Sequence, residues 1–358
     1  METFARTAAL SSTLSGGAAG NGTHGNGSAN AEPRSGSPFE RLYRPISSHL
    51  REVETRLQRE FQSRWEELRP ILAQGALLGG KRLRPALVLL SGGAAGTIGS
   101  DHVTVAAIIE MLHTATLVHD DVLDDATNRR HRPTINAKWN TGASILLGDF
   151  LFAHSYYLAA QLDSLRVCRI VGSAARKVCE GELRQFLLAG NISIDKQRYY
   201  QLIGGKTAEL TSASCEIGAE LAGASQRVCE ALRQYGYSLG MAFQIADDYL
   251  DIWGEPDRVG KTLGSDLLQG KATLPLIRLL EQSSPQEVEE IERIIRGPIE
   301  RRLTLMLPRL DQSDAKQYTL DVAHSFVREA RDALSLLPPT TARESLLQLA
   351  EMAVTREA

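Results

Sequence analysis

The chain has 358 residues, 43 of them acidic and 40 basic, for a net charge of −3. That near balance excludes the gross basic excess of a nucleic-acid-binding surface, and no apolar run is long enough to form a membrane-spanning helix. The four cysteines (Cys168, Cys179, Cys215, Cys229) show no CxxC or zinc-ligand spacing and read as small buried thiols of a reducing compartment, so the expected location is the cytoplasm.

Residues 1–37 are rich in Gly, Ser, Ala and Asn. Such a segment buries too little apolar surface to offset its ordering entropy, so a disordered tail is expected. It is poor in acids and carries Arg6, as an organelle transit peptide would, but lacks an amphipathic basic stripe. Deleting it should leave activity intact.

From Ser37 onward helical signals dominate. Ser37-Pro38-Phe39-Glu40 reads as a cap, a first-position Pro and a first-turn acid. Leu50, Val53, Leu57 and Phe61 follow at helical spacing. Gly79-Gly80-Lys81-Arg82-Leu83-Arg84-Pro85 offers three cations suited to phosphate oxygens, on glycines that permit close backbone approach. The Gly-rich Ser91–Gly99 stretch is expected to be a loop between helices.

Val103 to Val118 is almost wholly apolar and predicts a buried helix. It leads into His119-Asp120-Asp121-Val122-Leu123-Asp124-Asp125, followed by Arg129-Arg130 and a stop at Pro133. Asp120 and Asp124 share one helix face, as do Asp121 and Asp125. The macrodipole disfavours acids at this helix end, and two carboxylates about 4 Å apart repel by roughly 4 kcal/mol at an effective dielectric of about 20. A cation would remove that cost. The pattern recurs in the apolar run from Gly240 that ends at Asp247-Asp248-Tyr249-Leu250-Asp251, with Gly254 and Pro256 as stops. Carboxylate ligands suit a hard cation, and Mg²⁺ (or Mn²⁺) held by one or two carboxylates plus substrate phosphates fits best.

Gly205-Lys206-Thr207, Gly260-Lys261-Thr262 and Lys271 add separate cationic sites. Gly260-Lys261-Thr262 is not a Walker A loop, since Gly254 lies one residue too far upstream and a helix precedes it. Several separate cationic sites beside metal-binding carboxylates imply a substrate with several phosphates. Ser284-Pro285-Gln286-Glu287 is a capping box, and the helix it opens is closed by Gly297-Pro298. After Pro338-Pro339, Thr341 with Glu344 is expected to cap a last helix. No alternating strand runs or βαβ rhythm appear. The expected fold is all-α, one domain over residues 38–358, with helices packed around a central cavity.

In order and spacing, GGKRLRP (79–85), HTATLVHDDVLDD (113–125) with Arg129-Arg130, Gly205-Lys206-Thr207, FQIADDYLD (243–251), Gly260-Lys261-Thr262 and Lys271 resemble the trans-isoprenyl diphosphate synthase family. The resemblance covers roughly Phe39 to Pro275. It implies mostly antiparallel helices around a deep cavity, with two aspartate clusters facing each other across its mouth. Asp120, Asp121, Asp124, Asp247, Asp248 and Asp251 would hold Mg²⁺ against an allylic diphosphate that Arg129, Lys206 and Lys261 also contact. Lys81, Arg84, His113 and Arg130 would bind isopentenyl diphosphate. Thr207 and Gln244 would lie near the developing carbocation, and Lys271 would serve the substrate phosphates.

Where the family usually has Gly after the Arg pair, this chain has His131. Glu182 and Gln185 occupy a segment where short-chain members often carry Gln and Asp, and neither is assigned a metal. The small Ala115 and Thr116, with Leu112 one turn deeper, imply a deep floor and an all-trans product longer than geranylgeranyl, of the kind used for quinone side chains. Geranylgeranyl or farnesyl diphosphate is the alternative product. The resemblance also implies a homodimer and allows peripheral membrane contact on product release. A terpene cyclase would lack GGKRLRP, a head-to-head synthase would space its aspartates differently, and a non-catalytic partner subunit would have lost some of them.

Overall fold

The computed structural model describes residues 38–129, 132–255 and 263–355. Arg130, His131, Lys261 and the expected tail lie outside the described residues. Helices make up about four-fifths of the described structure, and the only ladder among the described residues is the two-residue pair Asn128–Arg129 with Arg132–Pro133. No helix among them is long and apolar enough to cross a membrane.

The apolar run ahead of the first aspartates forms the helix Ser100–Leu123, buried along most of its length. It packs against Thr141–Ala160 and Leu83–Ala95. Leu83–Ala95 packs in turn on Glu209–Leu221, which packs on the second aspartate helix, Gln226–Trp253. That helix leans on Ala315–Ala333. Its first half (Leu232, Tyr235, Leu239) belongs to the larger hydrophobic core, and its second half (Met241, Ile245, Ile252) to a smaller core built from Ile192 to Ala323. The end that carries its aspartates is therefore anchored by different packing from its start.

Several local expectations are corrected. Ser91–Gly99 is not a loop throughout, because Leu83–Ala95 continues as helix across its first half. The glycines there serve close approach: a Cβ on Gly92 would lie 2.5 Å from the His102 ring and 3.3 Å from the Gly218 carbonyl oxygen. The first helix, Pro38–Leu42, is short and gives way to a 3₁₀ turn at Arg44–Ile46, where Pro45 cannot donate to a continuing α-helix. Ser47–Glu60 then buries Val53 and Leu57 as the spacing predicts. The last helix is capped by Thr340, whose hydroxyl accepts from the Arg343 N–H, and not by Thr341. The capping box at Ser284 and Glu287 forms as expected.

The first aspartate helix ends well before Pro133. Ala126 N donates to the Asp121 carbonyl (2.9 Å) and Asp125 N to the Val122 carbonyl (3.3 Å), with Asp125 at φ 49°. This is a Schellman closure, with Asp filling the left-handed position that usually takes Gly. It leaves Asp120 and Asp121 in the last turn and Asp124 at the cap.

Candidate active site

Asp121 sits at the base of the first cluster and is almost fully buried. Its Oδ1 accepts from Arg129 Nε at 2.8 Å, while its Oδ2 is buried with no hydrogen-bond partner. Burial pushes the Asp121 carboxyl up, against the opposing pull of Arg129. Burial also pushes Asp120 up, with Asp124 adding to the rise and Lys206 opposing it.

Lys206 is delivered by an unusual turn. Residues Gly204–Ala208 form one π-helical turn, a feature often found at functional sites. The turn lies directly on Gly181, where a Cβ would stand 2.6 Å from the Lys206 backbone nitrogen. Lys206 Nζ thereby reaches 3.0 Å from the Glu182 carboxylate and 3.7 Å from Asp120 Oδ2. Burial alone would lower the Lys206 ammonium, but the two carboxylates outweigh it and the net shift is upward. Glu182 is raised by burial and by Asp120.

The neighbouring Thr207 connects this group to the second cluster. Its hydroxyl donates to Gln244 Oε1 at 2.8 Å, and Gln244 Nε2 donates to Asp248 Oδ1 at 2.9 Å. Tyr199 donates its hydroxyl to Asp248 Oδ2 at 2.7 Å. Asp248 is buried, and burial together with Asp266 raises its carboxyl well above the ordinary range despite the Tyr199 and Gln244 hydrogen bonds. One pocket is lined by Gln185, Tyr199, Lys206, Gln244, Asp248, Asp266 and Lys271, with apolar walls at Leu188, Ile194, Leu202 and Ile203. Lys271 Nζ also stands 3.6 Å from Asp124 Oδ1 and 4.0 Å from Asp266 Oδ1. Lys206 and Lys271 thus both join the first cluster to the pocket that contains Asp248.

Asp251 has a different setting from its neighbours. Its carboxylate accepts from Ser265 N (3.1 Å), Ser265 Oγ (2.6 Å) and Asp266 N (3.1 Å), tying the second aspartate helix to the short helix Ser265–Leu268. Asp247 lies on the same helix end, half-buried.

In the Gly79–Pro85 segment the three cations part company. Arg82 turns inward at φ 51° and bonds Glu54 (2.5 and 3.1 Å) and the buried Glu110 (2.8 Å), so it braces the fold and does not face the site. Lys81 is exposed, its Nζ 4.8 Å from the Phe39 ring centroid. Arg84 lies in the first turn of Leu83–Ala95 and is half-buried, as is His113 on the first aspartate helix. A separate cavity is lined by Leu77, Leu78, Gly79, Arg129 and Arg132. Ala115 and Leu112 are buried core residues, and the half-buried Thr116 bonds the His113 carbonyl through its hydroxyl (2.8 Å).

Sequence reasoning left Tyr199, Asp266 and Arg132 out of the site. A signal existed for Tyr199, which lies two helical turns before Lys206. Asp266 and Arg132 carry no local signal, because only the fold brings them to the pockets.

The donor set fits a hard divalent cation. Burial pushes the Asp120 and Asp121 carboxyls up, a shift that a bound cation would oppose, and Asp121 Oδ2 has no protein donor. Among the described residues no three such side chains converge closely enough to hold an ion unaided. A hard divalent ion held by one or two of these carboxylates would complete its shell with phosphates and water.

The polyprenyl synthetase family model matches residues 66–303. Octaprenyl diphosphate synthase of Escherichia coli is 37% identical over 280 residues, covering 78% of this chain and 87% of that protein. The all-trans-nonaprenyl-diphosphate synthase (geranyl-diphosphate specific) of Rhodobacter capsulatus is 38% identical over 279 residues, covering 78% and 86%. The crystal structure of a polyprenyl synthase from Caulobacter crescentus, complexed with calcium and isoprenyl diphosphate, matches with a TM-score of 0.84 at 37% identity, over 91% of this chain and 100% of that one. The match spans both aspartate helices and the segments between them, and the chain belongs to the polyprenyl synthetase family.

Proposed function

We propose that this chain condenses isopentenyl diphosphate head-to-tail with an allylic diphosphate, building an all-trans polyprenyl diphosphate longer than geranylgeranyl. The observation that carries the reading is the bonded path from one acidic helix end to the other, in which Lys206 faces Asp120 and the adjacent Thr207 reaches Asp248 through Gln244.

Asp120, Asp121 and Asp124, with Asp247, Asp248 and Asp251, would hold Mg²⁺; Asp251 also fixes the helix end through its bonds to Ser265 and Asp266. The ion, when bound, supplies Lewis-acid stabilisation of the diphosphate as it departs. Lys206, Lys271 and Arg129 would place positive charge around the same leaving group, preorganised electrostatics of the kind that lowers such barriers, and the resemblance gives Lys261 the same role. Lys81, Arg84, His113 and Arg130 hold isopentenyl diphosphate. The Thr207 oxygen would offer a dipole to the allylic cation, and the apolar pocket walls would keep water from quenching it. The proton lost after the double bond attacks passes to the departing diphosphate. Ala115, Thr116 and Leu112 would set product length from the first aspartate helix.

The active unit is residues 38–358, working in the cytoplasm. All four cysteines are free thiols, of which Cys215 and Cys229 are buried as expected, whereas Cys168 is half-buried and Cys179 exposed. We further infer a homodimer, supported by the Thr141–Ala160 helix, which exposes Ile145, Leu146, Phe150 and Tyr157. Apolar patches of this kind mark association surfaces.

Purified full-length chain incubated with labelled isopentenyl diphosphate and farnesyl diphosphate should make a chromatographic ladder extending past geranylgeranyl, and only with Mg²⁺. Full turnover in a chelator-treated sample would refute the metal assignment, and no product under any metal would refute the activity.

A further inference from the structure

One cation beside the site has no assigned role. Arg132 sits in the two-residue ladder that follows the first aspartate helix, where the register places it directly opposite Arg129. Side chains directly opposite in an antiparallel pair leave the ribbon on the same side and lie within contact reach, and like charges so placed destabilise the pair. Arg129 is partly neutralised, because its Nε donates to Asp121 at 2.8 Å. Arg132 is exposed, and among the described residues no carboxylate pairs with it. An anion between or above the two guanidiniums would offset that repulsion.

The surroundings supply a place for one. Arg129 and Arg132 together line a cavity of about 250 Å³, whose other walls are Leu77, Leu78 and Gly79. That wall comes from the turn that presents Lys81. At Gly79 the backbone comes so close to the inward-turned Arg82 that a Cβ would lie 1.7 Å from its Nη1. The cavity therefore has two arginines on one side and, on the other, the glycine turn that Lys81 follows in the chain. It contains no acidic side chain among its lining residues. Paired forks match the oxygens of a phosphate group in a way that a single point charge does not.

We propose that Arg132 is a further diphosphate-binding residue of this site, gripping the isopentenyl diphosphate from the hairpin side while the Lys81 turn holds it from the other. The inference rests on the prenyl-transfer reading above. Arg132 makes no contact with the aspartates, so it serves the diphosphate that travels without the metal cluster. Isopentenyl diphosphate bound at Arg132 also offsets the repulsion that the register sets up against Arg129, which itself serves the allylic diphosphate.

The test uses the full chain carrying Arg132→Gln or Arg132→Lys. Calorimetric titration of isopentenyl diphosphate, with no allylic substrate present, reads binding without turnover. Losing one charge-assisted contact should weaken that affinity roughly tenfold in the Gln variant. KM for isopentenyl diphosphate should rise in parallel, while kcat and the KM for farnesyl diphosphate stay within about twofold. The Lys variant should recover part of the loss, and the difference from the parent should shrink at high salt. Unchanged affinity for isopentenyl diphosphate would overturn the proposal. So would an equal loss for both substrates, or a loss accompanied by a lower melting temperature. A parent enzyme without metal-dependent prenyl transfer would instead refute the proposed function, whatever the variants do.

Discussion

Lys206→Met removes the cation that stands between two half-buried carboxylates. The Lys206, Glu182 and Asp120 side chains are only 25, 18 and 17% exposed, so solvent screens them weakly. At an effective dielectric of about 20, an ion pair at 3.0 Å is worth roughly 5 kcal/mol and one at 3.7 Å roughly 4 kcal/mol before desolvation is subtracted. Breaking such a pair by removing one partner typically costs about 3–5 kcal/mol. The variant can recover part of this by protonating one carboxylate, so a net loss of about 3 kcal/mol is expected near pH 8. For a domain of this size that is a fall of roughly 6 °C in melting temperature.

The pH dependence has a definite sign. Burial already holds Asp120 and Glu182 above their ordinary range. A carboxyl raised in the folded state favours folding while protonated, and that contribution is lost as pH rises from the unfolded value through the folded one. Without the ammonium both groups rise further, so the deficit of the variant should be small near about pH 4.5 and grow towards about pH 8. Mg²⁺ should raise the melting temperature of the variant more than that of the parent, since it supplies the missing charge and binds only the folded site. Thermal melts across this range, with Mg²⁺ or chelator, read all of this without any activity assay. Equal melting temperatures near pH 8, or a deficit independent of pH, would refute the reasoning.

Arg82→Met should strand the buried Glu110 and destabilise the fold by about 3–5 kcal/mol in a denaturant titration, leaving the KM values of the folded fraction unchanged. A raised KM at parental stability would return Arg82 to the substrate. Tyr199→Phe deletes the hydroxyl that donates to Asp248, and the Mg²⁺ concentration for half-maximal rate should rise roughly tenfold; an unchanged requirement would show that Tyr199 does not position Asp248. Ala115→Phe should shorten the product ladder on chromatography, at an overpacking cost of about 1–3 kcal/mol because Ala115 is fully buried. The same ladder from a folded variant would count against a chain-length role for Ala115.

Helices were legible wherever local chemistry decides them. The capping box at Ser284, the apolar run ahead of Asp120 and the stop at Gly254 all form where the residues place them. Ser91–Gly99 misled because glycine serves two purposes. Gly92 sits inside a helix, with its missing side chain making room for His102 and for the backbone at Gly218. That purpose is invisible without the partner helix. The basic neighbours of Arg82 suggest a third phosphate-binding cation, whereas a left-handed backbone angle sends it inward to Glu54 and Glu110.

From residue types and their spacing alone came the all-α class, the two acidic helix ends, the need for a cation beside them and the polyphosphate character of the substrate. Those properties depend on composition within a few turns of chain, where periodicity and charge speak directly. The division of labour among similar side chains was settled only by packing. Asp121 keeps an oxygen without a donor, Asp251 is spent on the backbone of the next helix, and Tyr199 and Gln244 fix both oxygens of Asp248. Partners such as Tyr199 and Asp248, which lie 49 positions apart in the chain, meet only because separate helices share a core.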